Sequence, residues 1–516
     1  MYFVGLDIGT TGTKTIVFDK DGNLLSSVVK EYNCYYPQPD YFEISGREML
    51  DATFYTCRKA IEDSGVDPRE IKSFGLSTQR STFGLLDKEG NIINDILYSW
   101  QDNRAVDSID YILERIPEEE VVSICGMPVK QTYAVTKLIW IKRHQPEIYE
   151  KADKFIMISE YLLKLLGADD YFLDTGNAAC SGLLDIRAGE WSKKLFDTYE
   201  LDMGMMPKLV PPAFQVGTVS REGSRLSGLA VGTPVCTGIG DQQCGVIGAG
   251  CVRQGVGTMT VGTAGFLISF LDKPALGYKF RSMMSASAGV PGKFEIEGIM
   301  LGAAANYKWF RDNFCEREIE IGQQTGQDPF ELMEKYVENS SVGSNGVMTL
   351  PHLGAAGCPH WNAEASGVIA GITFAHTKAD IARSFMEGII FEIRNMYTTM
   401  MQADIVFDEI IATGGAIKSP TWRQIMADIM GCRIKTLKVS DATVLGAAIL
   451  GAVGAGYFDS VEIAVRQMVH YKDDVMPIKE NVEKYNSIFK TYCKLYDALD
   501  MQDVFKELRM INKGLF

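Results

Sequence analysis

The sequence predicts an α/β protein built from two related halves, and three observations carry that expectation. Strand-like apolar runs alternate with helical patterns along most of the chain. Its 516 residues exceed what one compact domain holds at roughly 100–200 residues per domain. Two hairpin patterns with Gly/Thr tips, one beginning at Phe3 and the other at Gly257, echo each other across the chain and place a domain boundary near residue 250.

Composition narrows the class. Hydrophobic residues at 46%, charged residues at 23% and aromatics at 10% are ordinary for a globular protein and exclude disordered, collagen-like and coiled-coil chains. Lys+Arg 51 against Asp+Glu 66 gives a net charge of −15. That sign repels a phosphate backbone and no local basic patch offsets it, so no nucleic-acid partner is expected. One uncharged apolar stretch, Ala442 to Phe458, contains four glycines and falls short of the roughly 20 apolar residues a membrane span needs. It reads as a buried, closely packed helix, and no membrane partner is expected. The N-terminus MYFVGLDIGT has neither a basic region nor a long apolar one, so no targeting peptide is read and a cytoplasmic location is expected. The 11 cysteines are scattered without a CxxC pair, which suits reduced core thiols. His352, Cys358 and His360 lie close together but lack the second ligand pair of a metal site.

In chain order, FVGL from Phe3 enters the turn DIGTTGTK, returns as TIVFD and turns again at Lys20-Asp21-Gly22-Asn23. The run Ser73–Ser77 precedes Gln79-Arg80-Ser81-Thr82, and ILYS precedes Trp100-Gln101-Asp102-Asn103-Arg104. The apolar run from Val235 ends in Gly238-Ile239-Gly240, sets Asp241 at its edge and resumes as a helix of small residues. TMTV then meets VGTAG and returns as FLISFL. Helical spacing follows over Ala303–Phe314, and over Ala379–Met400 behind a Thr377 cap. A strand over Asp408–Ala412 enters Thr413-Gly414-Gly415-Ala416, and 482–508 reads as one amphipathic surface helix.

Three of these turns could hold an anion. Consecutive backbone N–H groups in a Gly/Thr turn form a concave nest of donors, and a divalent cation can supply the charge that a lysine-poor surface lacks. The turns are Asp7–Lys14, Gly262–Gly265 and Gly414–Ala416. None fits GxxxxGK[ST], which disfavours a P-loop NTPase. Asp7, at the end of the first strand, is placed to hold a metal-bound water. Asp241 stands beyond the carboxyl end of a strand, where open α/β sheets bind ligands, and could accept the proton of an alcohol attacking a phosphoryl group. It reads equally as a helix N-cap. Arg80, Trp100, Gln101, Asp102 and Gln242 offer the donors, acceptors and apolar wall that a polyol needs. Asp102 with Arg104 reads equally as a structural ion pair, and Trp100 equally as core.

These pieces, taken in order, resemble the FGGY carbohydrate kinase family of the actin-like ATPase superfamily. They are DIGTTGTK at Asp7–Lys14, WQDNR at Trp100–Arg104, KLIW at Lys137–Trp140, DTGNAACSGLLDI at Asp174–Ile186 and GDQQ at Gly240–Gln243. VGTAG at Val261–Gly265, WFRD at Trp309–Asp312, SGVIAGI at Ser366–Ile372, DIARSFMEG at Asp380–Gly388 and TGGAIKSPTWRQIMADI at Thr413–Ile429 complete the set.

The resemblance implies two actin-like (ribonuclease H-like) domains flanking a catalytic cleft. Residues 1–250 would bind the sugar and carry the first phosphate loop, and residues 251–516 would bind the nucleotide. It implies ATP with Mg²⁺ and transfer of the γ-phosphoryl group to a primary hydroxyl of a small sugar or polyol. By position, Asp241 resembles the catalytic base, Asp7 the residue near the metal, and Thr10, Thr11 and Lys14 the first phosphate loop. Gly262 and Thr263 resemble the second loop, Gly414, Gly415 and Ala416 the nucleotide turn, and Arg80, Ser81, Trp100, Asp102 and Gln242 the acceptor site.

Departures bear on the acceptor. Glycerol kinases carry Arg-Glu where this chain has Arg80-Ser81, and xylulose kinases carry Met-His there. Thr132, Tyr133 and Ala134 also depart from the glycerol-kinase pattern; Trp100 and Gln242 lean to the glycerol-kinase side, while Asp102-Asn103-Arg104 leans to the pentulose side. A ketopentose-like acceptor is favoured, with glycerol or an autoinducer-2-like linear pentose as alternatives. Outside enzymes, the alternative is an actin-like ATP-driven switch. A homodimer is left open.

Overall fold

The computed structural model describes residues 1–439 and 441–514. Residues 440, 515 and 516 of the expected second half lie outside that description. Contacts divide the chain into two units. The first comprises Met1–Arg253, Phe270–Ile296 and Val439–His470; the second comprises Gln254–Ser269, Glu297–Lys438 and the chain from Tyr471.

In the first unit, strands β1 (Tyr2–Ile8), β2 (Gly12–Asp19) and β3 (Leu24–Glu31) form an antiparallel meander. Phe3, Val4, Leu6 and Ile8 have no exposed surface, because β1 is a central strand covered on both faces, where an unbroken apolar run replaces alternation. Its other neighbour, β4 (Ile71–Thr78), runs parallel to it. Two short strands, β5 (Pro234–Cys236) and β6 (Ile239–Gly240), also run parallel to β4. Helix α1 (Gly46–Ser64) packs on β2 and β3. Ser45 caps it by accepting from the Glu48 amide, and Gly65, left-handed at φ 68°, ends it.

Helices α2 (Asp241–Gly248) and α3 (Ala442–Gly454) pack backbone against backbone. A Cβ on Gly446 would stand 1.9 Å from the Cys244 carbonyl oxygen, and one on Gly248 would stand 1.8 Å from that of Ala442. Gly446 of α3 and Gly248 of α2 therefore set a helix–helix distance, and Val444–Ala452 are buried as expected. Among the described residues, no helix is long and apolar enough to cross a membrane.

In the second unit, β7 (Val256–Val261) and β8 (Gly265–Leu271) form a hairpin. β9 (Glu409–Thr413) lies parallel to β7, β10 (Arg433–Leu437) lies parallel to β9, and β11 (Tyr471–Val475) closes the order β8-β7-β9-β10-β11 as an antiparallel edge. A hairpin whose first strand continues into parallel neighbours thus occurs in both units, which is the echo heard in the sequence.

The helix Lys378–Met400 starts on the expected Thr377, whose backbone and side chain both donate to Asp380. The single helix expected over 482–508 is instead two, Lys479–Met501 and Val504–Asn512, parted at Asp503 with a left-handed φ of 56°. Tyr485, Tyr492 and Tyr496 are buried. The first two tie Lys479–Met501 to Lys378–Met400 through hydroxyl donation to Glu387 (2.7 Å) and Glu392 (2.6 Å).

Candidate active site

Register places the chemistry of the first unit. β1, β4 and β6 run parallel, with Asp7 beside Ser77 and Gly240 beside Thr78. Their carboxyl ends therefore share one sheet edge, where α/β folds hold ligands. The chain leaves that edge as the 9–12 turn, as Gln79–Thr82, and as Asp241.

Asp7 accepts from the Ser77 hydroxyl at 2.7 Å. Burial, and then the charge of Asp241, push its carboxyl up to about 7, against the opposing pull of the Ser77 hydrogen bond and of Lys14. Lys14, opposite Asp7 in the hairpin, places Nζ 2.6 Å from Oδ1 of Asp441.

Asp241 is the first residue of α2, and Gly240, which has no side chain to offer, occupies the N-cap. The N-cap position considered for Asp241 is thus taken by Gly240, which makes no side-chain cap hydrogen bond. Its Oδ1 accepts from the Gln242 amide at 2.7 Å and lies 3.4 Å from Arg80 Nε; about a third of the side chain (31%) is exposed. Arg80 also places Nη1 3.7 Å from Met284 Sδ.

The first turn is tied to Trp100. The indole Nε1 donates to Thr10 Oγ1 at 2.9 Å, and the Trp100 amide donates to Thr82 Oγ1 at 3.1 Å. Thr82 in turn donates to Gln79, whose Nε2 reaches the Gly9 carbonyl at 3.0 Å. Trp100 keeps 37% of its surface exposed, so it is not a core residue. Thr11 is exposed, while Lys14 and Gln242 are partly buried.

Two expected acceptor contacts are placed elsewhere. Asp102 has no exposed surface. Its oxygens accept from the Phe42 amide (2.7 Å), the Arg104 amide (3.0 Å) and the Arg104 guanidinium (2.8–3.0 Å). Arg104 reaches on to Glu43 at 2.6 Å and lies over the rings of Tyr41, Tyr98 and Trp140. The ion-pair alternative describes Asp102, which has no face left for a ligand. Ser81, left-handed at φ 61° and buried, donates its hydroxyl to the Cys180 carbonyl at 2.7 Å.

Behind this ion pair, Lys137 is wholly buried and donates to the carbonyls of Gln131 and Thr132 at 2.8 and 3.0 Å. Burial, opposed by Asp102 and assisted by Arg104, pulls its ammonium down to about 7 from 10.5. The unfolded chain then holds this proton through a range where the fold has released it, so stability rises as pH climbs from about 7 towards 10.5. Thermal melts across that range are expected to show the wild type gaining Tm relative to Lys137→Met.

In the second unit, β7 and β9 also run parallel, with Thr260 opposite Thr413 and their hydroxyls 2.8 Å apart. Both Gly turns therefore follow neighbouring strand ends. Gly414 has φ 93°, and a Cβ there would stand 2.4 Å from the Val261 carbonyl oxygen, so the turns touch. The carbonyls of Gly262 and Thr263 accept from the amides of Ala304 and Ala303, both at 2.8 Å. Thr263 is exposed, Ala416 is buried, and a Cβ on Gly415 would meet nothing within 4 Å.

Ser77, Asp441 and Met284 were not read from the sequence as site residues. The β1–β4 register could have found Ser77. Asp441 carried no local signal, because it stands 427 positions from Lys14.

Fold and site define a class: an α/β protein with a repeated hairpin sheet, turns suited to phosphate, and a partly exposed carboxylate at a strand edge. The chain belongs to the FGGY family of carbohydrate kinases, matching its N-terminal domain over residues 2–248 and its C-terminal domain over residues 257–455. A xylulose kinase of Staphylococcus epidermidis is 28% identical over 498 residues, 96% of each chain. A gluconokinase of Bacillus subtilis is 27% identical over 509 residues, 97% of this chain and 96% of its own. The solved structure of a xylulose kinase from Lactobacillus acidophilus superposes with a TM-score of 0.88 at 24% identity, over 97% of this chain and 98% of that one. It shows the shared actin-like fold. The protein is an ATP-dependent phosphotransferase acting on a sugar or polyol hydroxyl.

Proposed function

We propose that the enzyme phosphorylates a primary hydroxyl of a small open-chain sugar, ketopentose-like, with Asp241 as general base. The observation that carries this reading is the convergence of Asp241, Arg80 and Asp7 from three parallel strand ends onto one edge. The acceptor oxygen attacks the γ-phosphorus, its proton passes to Asp241, the new O–P bond forms as the bond to the β,γ-bridging oxygen breaks, and ADP leaves.

Arg80, Trp100 and Gln242 would contact the acceptor. Ser81 and Asp102, committed to backbone and to Arg104, would shape its surroundings without touching it. Thr10, Thr11 and Lys14 would receive the transferring phosphate, and Gly262, Thr263, Gly414, Gly415 and Ala416 would hold the nucleotide through backbone amides.

Burial first, and then the negative charge of Asp241, raise the Asp7 carboxyl. Two crowded carboxylates suit a hard cation that takes its remaining ligands from phosphate and water. Asp7 would hold Mg²⁺, which would neutralise phosphate charge.

Relatives named for xylulose and for gluconate span the chain end to end, which supports an open-chain acceptor. Glycerol and an autoinducer-2-like pentose are the alternatives. ADP release is to be measured across D-xylulose, D-ribulose, L-ribulose, D-gluconate, glycerol and 4,5-dihydroxy-2,3-pentanedione. The expected result is the highest kcat/KM on a five-carbon ketose, and a preference for glycerol would overturn the acceptor assignment.

A further inference from the structure

Gln243 lies on α2 two residues beyond Asp241 and has no exposed surface. Neither its Oε1 nor its Nε2 has a hydrogen-bond partner among the described residues. A buried amide in that condition is costly, and native folds keep few of them without a purpose. Its location suggests one. A Cβ built on Gly240 would stand 2.6 Å from Gln243 Oε1, 2.5 Å from Arg80 Cγ and 2.7 Å from Arg80 Cδ. The amide and the stem of Arg80 therefore converge on one small space beside the strand end.

Arg80 is meanwhile engaged with the base, its Nε 3.4 Å from Asp241 Oδ1, the oxygen that also accepts from the Gln242 amide. An acceptor hydroxyl that claims Asp241 must compete with this cation. A guanidinium displaced into a largely enclosed site needs another acceptor, since a buried charge without one is strongly disfavoured.

We propose that Gln243 is a positioning residue of the acceptor step: its amide takes over Arg80 when the acceptor hydroxyl claims Asp241. Rotation of the terminal amide can present either end, so the oxygen can receive Arg80 while the nitrogen stays free to donate. The unpartnered state is then the resting half of a two-position arrangement, with Arg80 on Asp241 before the acceptor arrives and on Gln243 afterwards. This inference rests on the reading of Asp241 as base.

The test compares the wild type with Gln243→Met, which keeps side-chain length and removes hydrogen bonding, and with Gln243→Glu, which keeps an acceptor for Arg80. Kinetics use whichever of D-xylulose, D-ribulose, D-gluconate and glycerol the wild type turns over best. Gln243→Met is expected to raise the acceptor KM about tenfold, the scale of one lost hydrogen bond to a charged group. The KM for ATP should stay unchanged, and Gln243→Glu should recover most of the acceptor KM. Gln243→Met should also melt above the wild type, because it deletes an unpaired buried amide. A purely structural glutamine gives the reverse: a lower Tm with an unchanged acceptor KM. Either an unchanged acceptor KM or a lower Tm overturns the proposal. If none of the four acceptors is used, the melting comparison decides alone. Asp241→Asn measured beside them separates the two ideas: persistent turnover there removes the base reading itself, whereas lost turnover with an unchanged Gln243→Met leaves that reading standing and removes only this one.

Discussion

Asp241→Asn is expected to lower acceptor-dependent ADP release by about a thousandfold, within the range that a positioned general base contributes. The substitution keeps the shape of the side chain and leaves an amide oxygen to accept from Gln242, as the carboxylate does at 2.7 Å. The fold should therefore hold, and the melting temperature should stay close to that of the wild type. What disappears is a group able to take a proton. Arg80, 3.4 Å away, loses its charged partner as well, so some rise in acceptor KM should accompany the fall in kcat. A coupled assay for ADP with the best acceptor checks this. Turnover near the wild-type rate would show that another group accepts the proton.

Gly446→Ala should produce a large loss of stability. Its Cβ would stand 1.9 Å from the Cys244 carbonyl oxygen and 3.0 Å from the Gly248 amide nitrogen. No rotamer change relieves that contact, since both neighbours are backbone. The helices must separate, at a cost of about 3 kcal/mol, the upper part of the usual range for overpacking. Because α2 begins with Asp241, the same displacement should lower kcat. Gly354→Ala is the control, as a Cβ there meets nothing within 4 Å. Urea denaturation of the two variants should differ by nearly the whole effect, and equal midpoints would show that α2 and α3 are not held at this distance.

Much of the sheet architecture was legible because it is local. DIGTTGTK lies within one hairpin, VGTAG within another, and an apolar run stopping at Gly240 announces both a strand end and the carboxylate after it. Choices that depend on distant partners were not legible. WQDNR is compatible with a pocket lining and with a buried ion pair, and only the approach of Phe42, Glu43 and Tyr41 decides for the pair. Ser81 turns inward because the Cys180 carbonyl is there to receive it. The break at Asp503 carries no Gly or Pro to mark it. The stretch from Val439 to His470 belongs to the first unit because Gly446 fits against α2 and Gly451 against Gly75 of β4, a fact that no segment shows alone.

The central claim is that this chain moves a phosphoryl group from ATP onto a carbohydrate hydroxyl with Asp241 as base. Phosphorus-31 NMR of a reaction containing ATP, Mg²⁺ and the best acceptor tests it most directly. The account predicts a phosphomonoester resonance split by two adjacent protons, growing in step with ADP and absent with Asp241→Asn. Inorganic phosphate as the only new resonance besides those of ADP, formed equally with and without acceptor, would contradict it and leave an ATP-driven switch in its place.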